Sequence, residues 1–220
     1  MIATIGASVA PGIALLSYFY LKDKFEPEPL HMVARTFIFG VLLVFPVMVL
    51  QFGLQEEITF GILGKSFLIA GFIEEFFKWF IIYVTVFKHV EFNEAYDGIV
   101  YAVAVSLGFA TLENFIYLYS YGLNEAFMRA LLPVSGHALF GVFMGYYLGK
   151  GKFEPELRKQ RLYMLLSLFL PIFFHGVYDF ILYSISTYYL WIIIPFMIIL
   201  WIASLRRVSK VNEQSKIPSF

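Results

Sequence analysis

Apolar runs of about 20 residues recur along the chain, each long enough to cross a bilayer as a helix. Seven are read, over roughly 2–21, 33–54, 64–87, 98–121, 126–149, 162–184 and 187–205. In the hydrocarbon layer no water satisfies backbone groups, so such segments must be helical. The expected fold class is all-α, a polytopic transmembrane bundle forming one membrane domain over 1–220. Composition points the same way: the chain is 60% hydrophobic and 15% charged, where soluble domains are about 45–50% apolar and about 25% charged. The first run lacks a basic leader and a cleavage site, so it is expected to remain as a helix.

Lys and Arg then set the expected orientation. Lys22, Lys24 and Arg35 follow the first run, and Lys88 follows the third. Lys150, Lys152, Arg158, Lys159 and Arg161 follow the fifth, and the C-terminal tail holds Arg206, Arg207, Lys210 and Lys216. The opposite loops offer Lys65 and Arg129. The positive-inside rule places the N-terminus outside and the C-terminus in the cytoplasm. Net charge is zero, which gives no case for a nucleic-acid partner. With no cysteine, thiol catalysis, disulfides and cysteine metal sites are excluded. Gly141, Gly145 and Gly149 line one face of the fifth run, which suits close helix packing and would leave room for a bound segment.

Against this apolar background the stretch "GFIEEFFKWF" (71–80) is anomalous. Glu74, Glu75 and Lys78, all charged and facing lipid, would cost on the order of 8–10 kcal/mol. They must instead face protein or water. Glu74 and Lys78 stand at i,i+4 in the favoured order, which would leave Glu75 as the surplus carboxylate. Other polar groups interrupt later runs: Glu113 and Asn114 in "FATLEN", His137 in "SGHALFG", His175 and Asp179 in "FHGVYDF". At 1.5 Å per residue, Glu75 and His137 lie about 16 Å below the outer end, His175 about 14 Å and Glu113 about 12 Å. Four helices thus bring titratable groups to one level, which marks a site in the bundle interior.

Three chemistries fit that set. A buried Glu can act as general base on water, with a His stabilising the oxyanion and Asp179 orienting His175. Two His with Glu also make a metal set, although H-E-x-x-H is absent. Proton-coupled transport or sensing uses the same residue types. Ser106 and Ser135 lack a G-x-S-x-G setting, so a serine hydrolase is poorly supported. Packing is the alternative for any one residue alone, since a lone His or a Glu–Lys pair often serves only to fix helix register. Asp97 is expected to cap the fourth helix, and "DKFEPEPLH" (23–31) to form a polar turn.

Taken in order, E-E-x-x-K at 74–78, F-x-x-x-E at 109–113, "PVSGHALFG" around His137 and H-x-x-x-D at 175–179 resemble the PrsW family. "APGIALLSYFYLKD" and "YDGIVYAVAVSLGFATLEN" extend the resemblance over nearly the whole chain. These are bacterial membrane proteases that make the first cut in a membrane-spanning anti-sigma factor. They sit among the glutamate-dependent intramembrane proteases that include the CAAX prenyl endopeptidases. The resemblance implies a catalytic core of Glu74, Glu75 and His175, with Glu113 and His137 lining the same cavity. It implies a multi-pass protein of the bacterial cell membrane and a single-pass transmembrane substrate such as an anti-sigma factor; no cofactor or metal is expected, with a metal-dependent protease on the same Glu and His residues as the alternative. On this reading Glu75 activates water, Glu74 assists it or is held by Lys78, and Asp179 and Asn114 support the site.

Overall fold

The structure is a computed structural model describing residues 1–23, 26–185 and 187–214. Lys24 and Lys216, which contribute to the charge asymmetry, lie outside the described residues, as does Ser186. The described residues form seven helical segments. They are α1 (Ile2–Leu21), α2 (Leu30–Glu57), α3 (64–85), α4 (Asp97–Tyr121), α5 (Leu123–Phe153), α6 (Leu157–Ser184) and α7 (Tyr189–Gln214). All but α3 are long and apolar enough to cross a membrane on those grounds alone. The exception is wound as a π-helix over Gly64–Phe72 and as an α-helix over Ile73–Thr85, and it carries Glu74, Glu75 and Lys78. Several helices outrun their apolar windows. Most notably, α7 continues past residue 205 through Arg206, Arg207 and Lys210, because a helix needs no apolar side chains once it leaves the bilayer.

The core is the α4–α5 pair. The apolar window of α4 is 78% buried and that of α5 67%, against 17% for α1 and for α2, so the outer helices turn most of their apolar surface to lipid. Phe45, Phe52, Trp191 and Ile199 are among the exposed side chains that do so. Close contact between α4 and α5 depends on glycine. A Cβ on Gly145 would lie 2.0 Å from the Gly98 carbonyl oxygen, and one on Gly149 2.1 Å from that of Ala95. The glycine face of α5 is therefore filled by the α4 backbone. The close packing expected from the spacing forms, and it leaves no room for a bound segment on that face.

On α3 the helical period separates two faces. Glu74, Glu75, Lys78 and Ile82 point inward, while Phe72, Phe76 and Phe80 stack on one another along the outer side. Trp79 donates from Nε1 to Ser167 Oγ at 2.8 Å, which ties α3 to α6 and fixes the charged face toward the bundle.

At the opposite end of the bundle the loops are more ordered than turn formation requires. Asp97 does not cap α4 from the N-cap position, which is Tyr96. It is the first helical residue, fully buried, and its Oδ2 accepts the backbone N–H groups of Asn93 and Glu94 at 2.7 Å each. Glu28, expected in a solvated turn, is buried and accepts a hydrogen bond from the Tyr101 hydroxyl. Burial raises the Glu28 pKa, and the nearby Asp23 and Glu91 charges push the same way, against the opposing hydrogen bonds from Tyr101 and Asp97. A carboxyl with a raised folded pKa favours the folded state most when protonated. Its contribution is complete below the ordinary value of 4.5 and is lost as pH rises through the folded value. Glu28→Gln mimics the protonated form, so it should flatten that part of the profile of thermal midpoint against pH. An unchanged slope in the variant would contradict this.

Candidate active site

The charged face of α3 meets α4, α5 and α6 around a single lysine. Lys78 is fully buried, with Nζ 2.7 Å from Glu75 Oε1, 3.3 Å from Glu74 Oε2 and 3.1 Å from His137 Nδ1. Its charge also lies over the Phe109 ring, 4.2 Å from the centroid. The expected i,i+4 pair with Glu74 forms, but the i,i+3 contact to Glu75 is the shorter. A lysine stem is long enough to serve both carboxylates, and His137 from another helix decides where its head rests.

Two arms extend from Lys78. Along one, an ammonium only donates, so His137 Nδ1 must accept and its Nε2 carries the proton. That Nε2 donates to Glu113 Oε2 at 3.1 Å. Along the other, His175 Nδ1 donates to Glu75 Oε1 at 2.9 Å, and His175 Nε2 lies 3.6 Å from Asp179 Oδ2. Glu75 is thus the group that holds the His175 ring, whereas Asp179 stands farther off. The two imidazoles meet edge to face at 5.2 Å, and Phe140 stacks on His175 at 5.1 Å. Charge inside the group is shared among neighbours, so no carboxylate faces lipid alone.

A cavity of about 520 Å³ opens beside this network. Gln55 and Lys65, at the α2–α3 end, and Arg129 and Tyr183 lie along it. It therefore reaches toward the end of the bundle that the charge asymmetry assigns to the outside. Glu74, Glu113, His137, His175 and Asp179 line it, and Glu75 and Lys78 lie behind them. Glu75 is fully buried, and its Oε2 has no hydrogen-bond partner among the described residues. Asn114 stands apart from the titratable network. It bonds the Ser8 carbonyl and accepts from Arg129 Nε at 2.9 Å, so it joins α1, α4 and α5 and holds Arg129 at the rim.

Some residues of the site carried no signal, or a weak one, in the sequence. Gln51 donates to Glu74 Oε1 at 3.2 Å and to the Ile69 carbonyl at 2.9 Å. Its place in an otherwise apolar run was the available clue. Tyr178 lines the cavity with a buried hydroxyl that lacks a partner among the described residues, and nothing in its spacing singles it out. The helices bearing Glu74 and His137 each have a π-wound segment just before the site, at Gly64–Phe72 and Ala130–Val134. Such segments gather at functional sites, because an extra residue per turn re-aims the side chains beyond it.

A polytopic helical bundle with paired carboxylates, imidazoles and a polar cavity opening at one side has the construction of a membrane-embedded hydrolase. Comparison with known proteins makes the class specific. A family model described as PrsW family intramembrane metalloprotease matches residues 28–203. The chain is 53% identical over 214 residues to Protease PrsW of Bacillus subtilis (strain 168), covering 97% of each. It is 54% identical over 219 residues to Protease PrsW of Geobacillus kaustophilus (strain HTA426), covering 98% of this chain and 95% of the relative. Identity to Protease PrsW of Clostridioides difficile (strain 630) is 34% over 212 residues, covering 92% and 89%. No solved structure matches. The chain belongs to the PrsW family and is a multi-pass intramembrane protease of the bacterial membrane.

The family description implies a metal. Glu74, Glu75, His137 and His175 each offer a ligand atom, all within 4.8 Å of one another, which suits zinc in kind and in spacing. The Lys78 ammonium, however, is already bonded to three of these four residues. As arranged, the residues do not fit a metal.

Proposed function

We propose that the chain makes the first, site-1 cut in a single-pass membrane protein of the anti-sigma-factor type, in envelope-stress signalling. The observation that carries the extracytoplasmic side of the cut is the cavity, whose polar lining opens between the outer ends of α2, α3, α5 and α6. The substrate segment enters unwound, because a helical carbonyl is already bonded and shielded.

Within the cavity we assign Glu74 as the general base, where spacing alone favours Glu75. Glu74 is the carboxylate of the pair that lines the cavity, whereas Glu75 is enclosed behind it and committed to Lys78 and His175. Glu74 takes a proton from water as the water oxygen bonds the scissile carbonyl carbon. The tetrahedral oxyanion is stabilised from the His175 side, with the ring held by Glu75. As the C–N bond breaks, the proton held by Glu74 passes to the leaving nitrogen. Glu113 and His137 complete the polar wall.

The test is cleavage of a tagged single-pass substrate by the purified protein in liposomes, with the cut mapped by mass spectrometry. A cut in the extracytoplasmic half or its juxtamembrane segment is expected, and it should persist with a chelator present. A cut on the cytoplasmic side would overturn the placement. Loss of cleavage on chelation, restored by added zinc, would overturn the glutamate mechanism in favour of the metal-dependent one.

A further inference from the structure

Lys78 stands where a metal would stand. Its Nζ is bonded to Glu74 Oε2, Glu75 Oε1 and His137 Nδ1, and an ammonium has three N–H groups to give. The same three residues, with His175, make the cluster whose ligand atoms converge within 4.8 Å. A zinc-like ion bonded to them at about 2.0–2.2 Å would occupy the centre of those atoms and press against Nζ. Two positive charges in contact at a buried site repel strongly. The ammonium, moreover, is well housed: Lys78 has no exposed surface, and the Phe109 ring faces its charge.

We propose that the Lys78 ammonium is the resident cation of this donor set, and that it and a divalent metal exclude one another. Lys78 is then a positioning residue. It holds Glu74 and Glu75 at fixed places and fixes the tautomer of His137, the tasks a structural ion would otherwise perform. Removing its charge converts the same four residues into a metal site with two imidazoles and two carboxylates. The inference concerns the site to which the cleavage reading is assigned. Its readout is metal binding and not proteolysis, so failure of one is separable from failure of the other.

The experiment titrates Co²⁺ into the purified full chain in detergent and follows visible absorption, for wild type and for Lys78→Met, which keeps the apolar stem without the charge. Wild type is expected to show no saturable cobalt band at micromolar to low millimolar metal. Lys78→Met is expected to bind one equivalent, with a band lost again in Lys78→Met/His175→Ala. A stoichiometric band in wild type that disappears in His137→Ala or His175→Ala would overturn the proposal, since the metal would then displace the lysine. Folded Lys78→Met that binds no cobalt would overturn the claim that the donor set becomes a metal site. If Lys78→Met is not recovered folded, the wild-type titration decides: no histidine-dependent band supports the proposal, and such a band overturns it.

Discussion

Glu75→Gln is expected to lose cleavage and stability together. Glu75 Oε1 receives both the Lys78 ammonium at 2.7 Å and His175 Nδ1 at 2.9 Å, in full burial. An amide there keeps the shape but removes the charge that compensates the lysine. Removing one partner of a buried pair costs roughly 3–5 kcal/mol, and the low end applies because Glu74 still faces Lys78. At about 2–4 °C per kcal/mol for a chain of this size, the thermal midpoint should fall by on the order of 10 °C. Cleavage should fall to background as well, because an uncharged amide oxygen shared by Lys78 and His175 holds the ring more weakly than the carboxylate does. Differential scanning fluorimetry in detergent, paired with initial rates in liposomes, checks both. A variant with a wild-type midpoint would contradict the bridging role given to Glu75.

Glu74→Gln separates the two quantities. Glu74 lies at the cavity edge, and its contacts to Gln51 at 3.2 Å and Lys78 at 3.3 Å are longer than those Glu75 makes to Lys78 and His175. Glutamine retains an oxygen to accept from Gln51, while Lys78 keeps Glu75 and His137. The thermal midpoint should therefore move by only a few degrees. Cleavage should drop by roughly 10²–10⁴-fold, the usual contribution of a positioned general base. A Glu74→Gln protein that cleaves normally, beside an inactive but equally stable Glu75→Gln protein, would return the role of base to Glu75.

Why the sequence leaves that choice open is a matter of geometry. The energetic cost of charges in an apolar run marks Glu74, Glu75 and Lys78 at once, and helical rise alone brings Glu113, His137 and His175 to their level. The structure sets these groups within hydrogen-bonding distance through Lys78, Glu75 and His137. What spacing cannot supply is the rotation of one helix against another. The π-wound turns at Gly64–Phe72 and Ala130–Val134 shift the phase of the residues after them, and no local residue pattern announces them. Hence i,i+4 spacing singles out Glu74 for Lys78, whereas the lysine reaches both carboxylates and is drawn toward His137. Gln51 and Tyr178 are neutral, so their burial costs less than that of a charge and marks them more weakly, yet both belong to the cavity or its edge. The buried Glu28–Tyr101 contact at the far end was hidden for another reason. A Pro-broken acidic turn looks solvated until the α4 helix is packed over it.

The most direct measurement sets wild type and Glu74→Gln side by side. Both are purified and placed in liposomes of one composition with one tagged single-pass substrate, with EDTA throughout. Initial rates of product formation are then compared. The account predicts cleavage by wild type at the rate seen without EDTA, and near-background product with Glu74→Gln at an almost unchanged thermal midpoint. Equal rates for the two proteins, or no cleavage by wild type until zinc is restored, would contradict it.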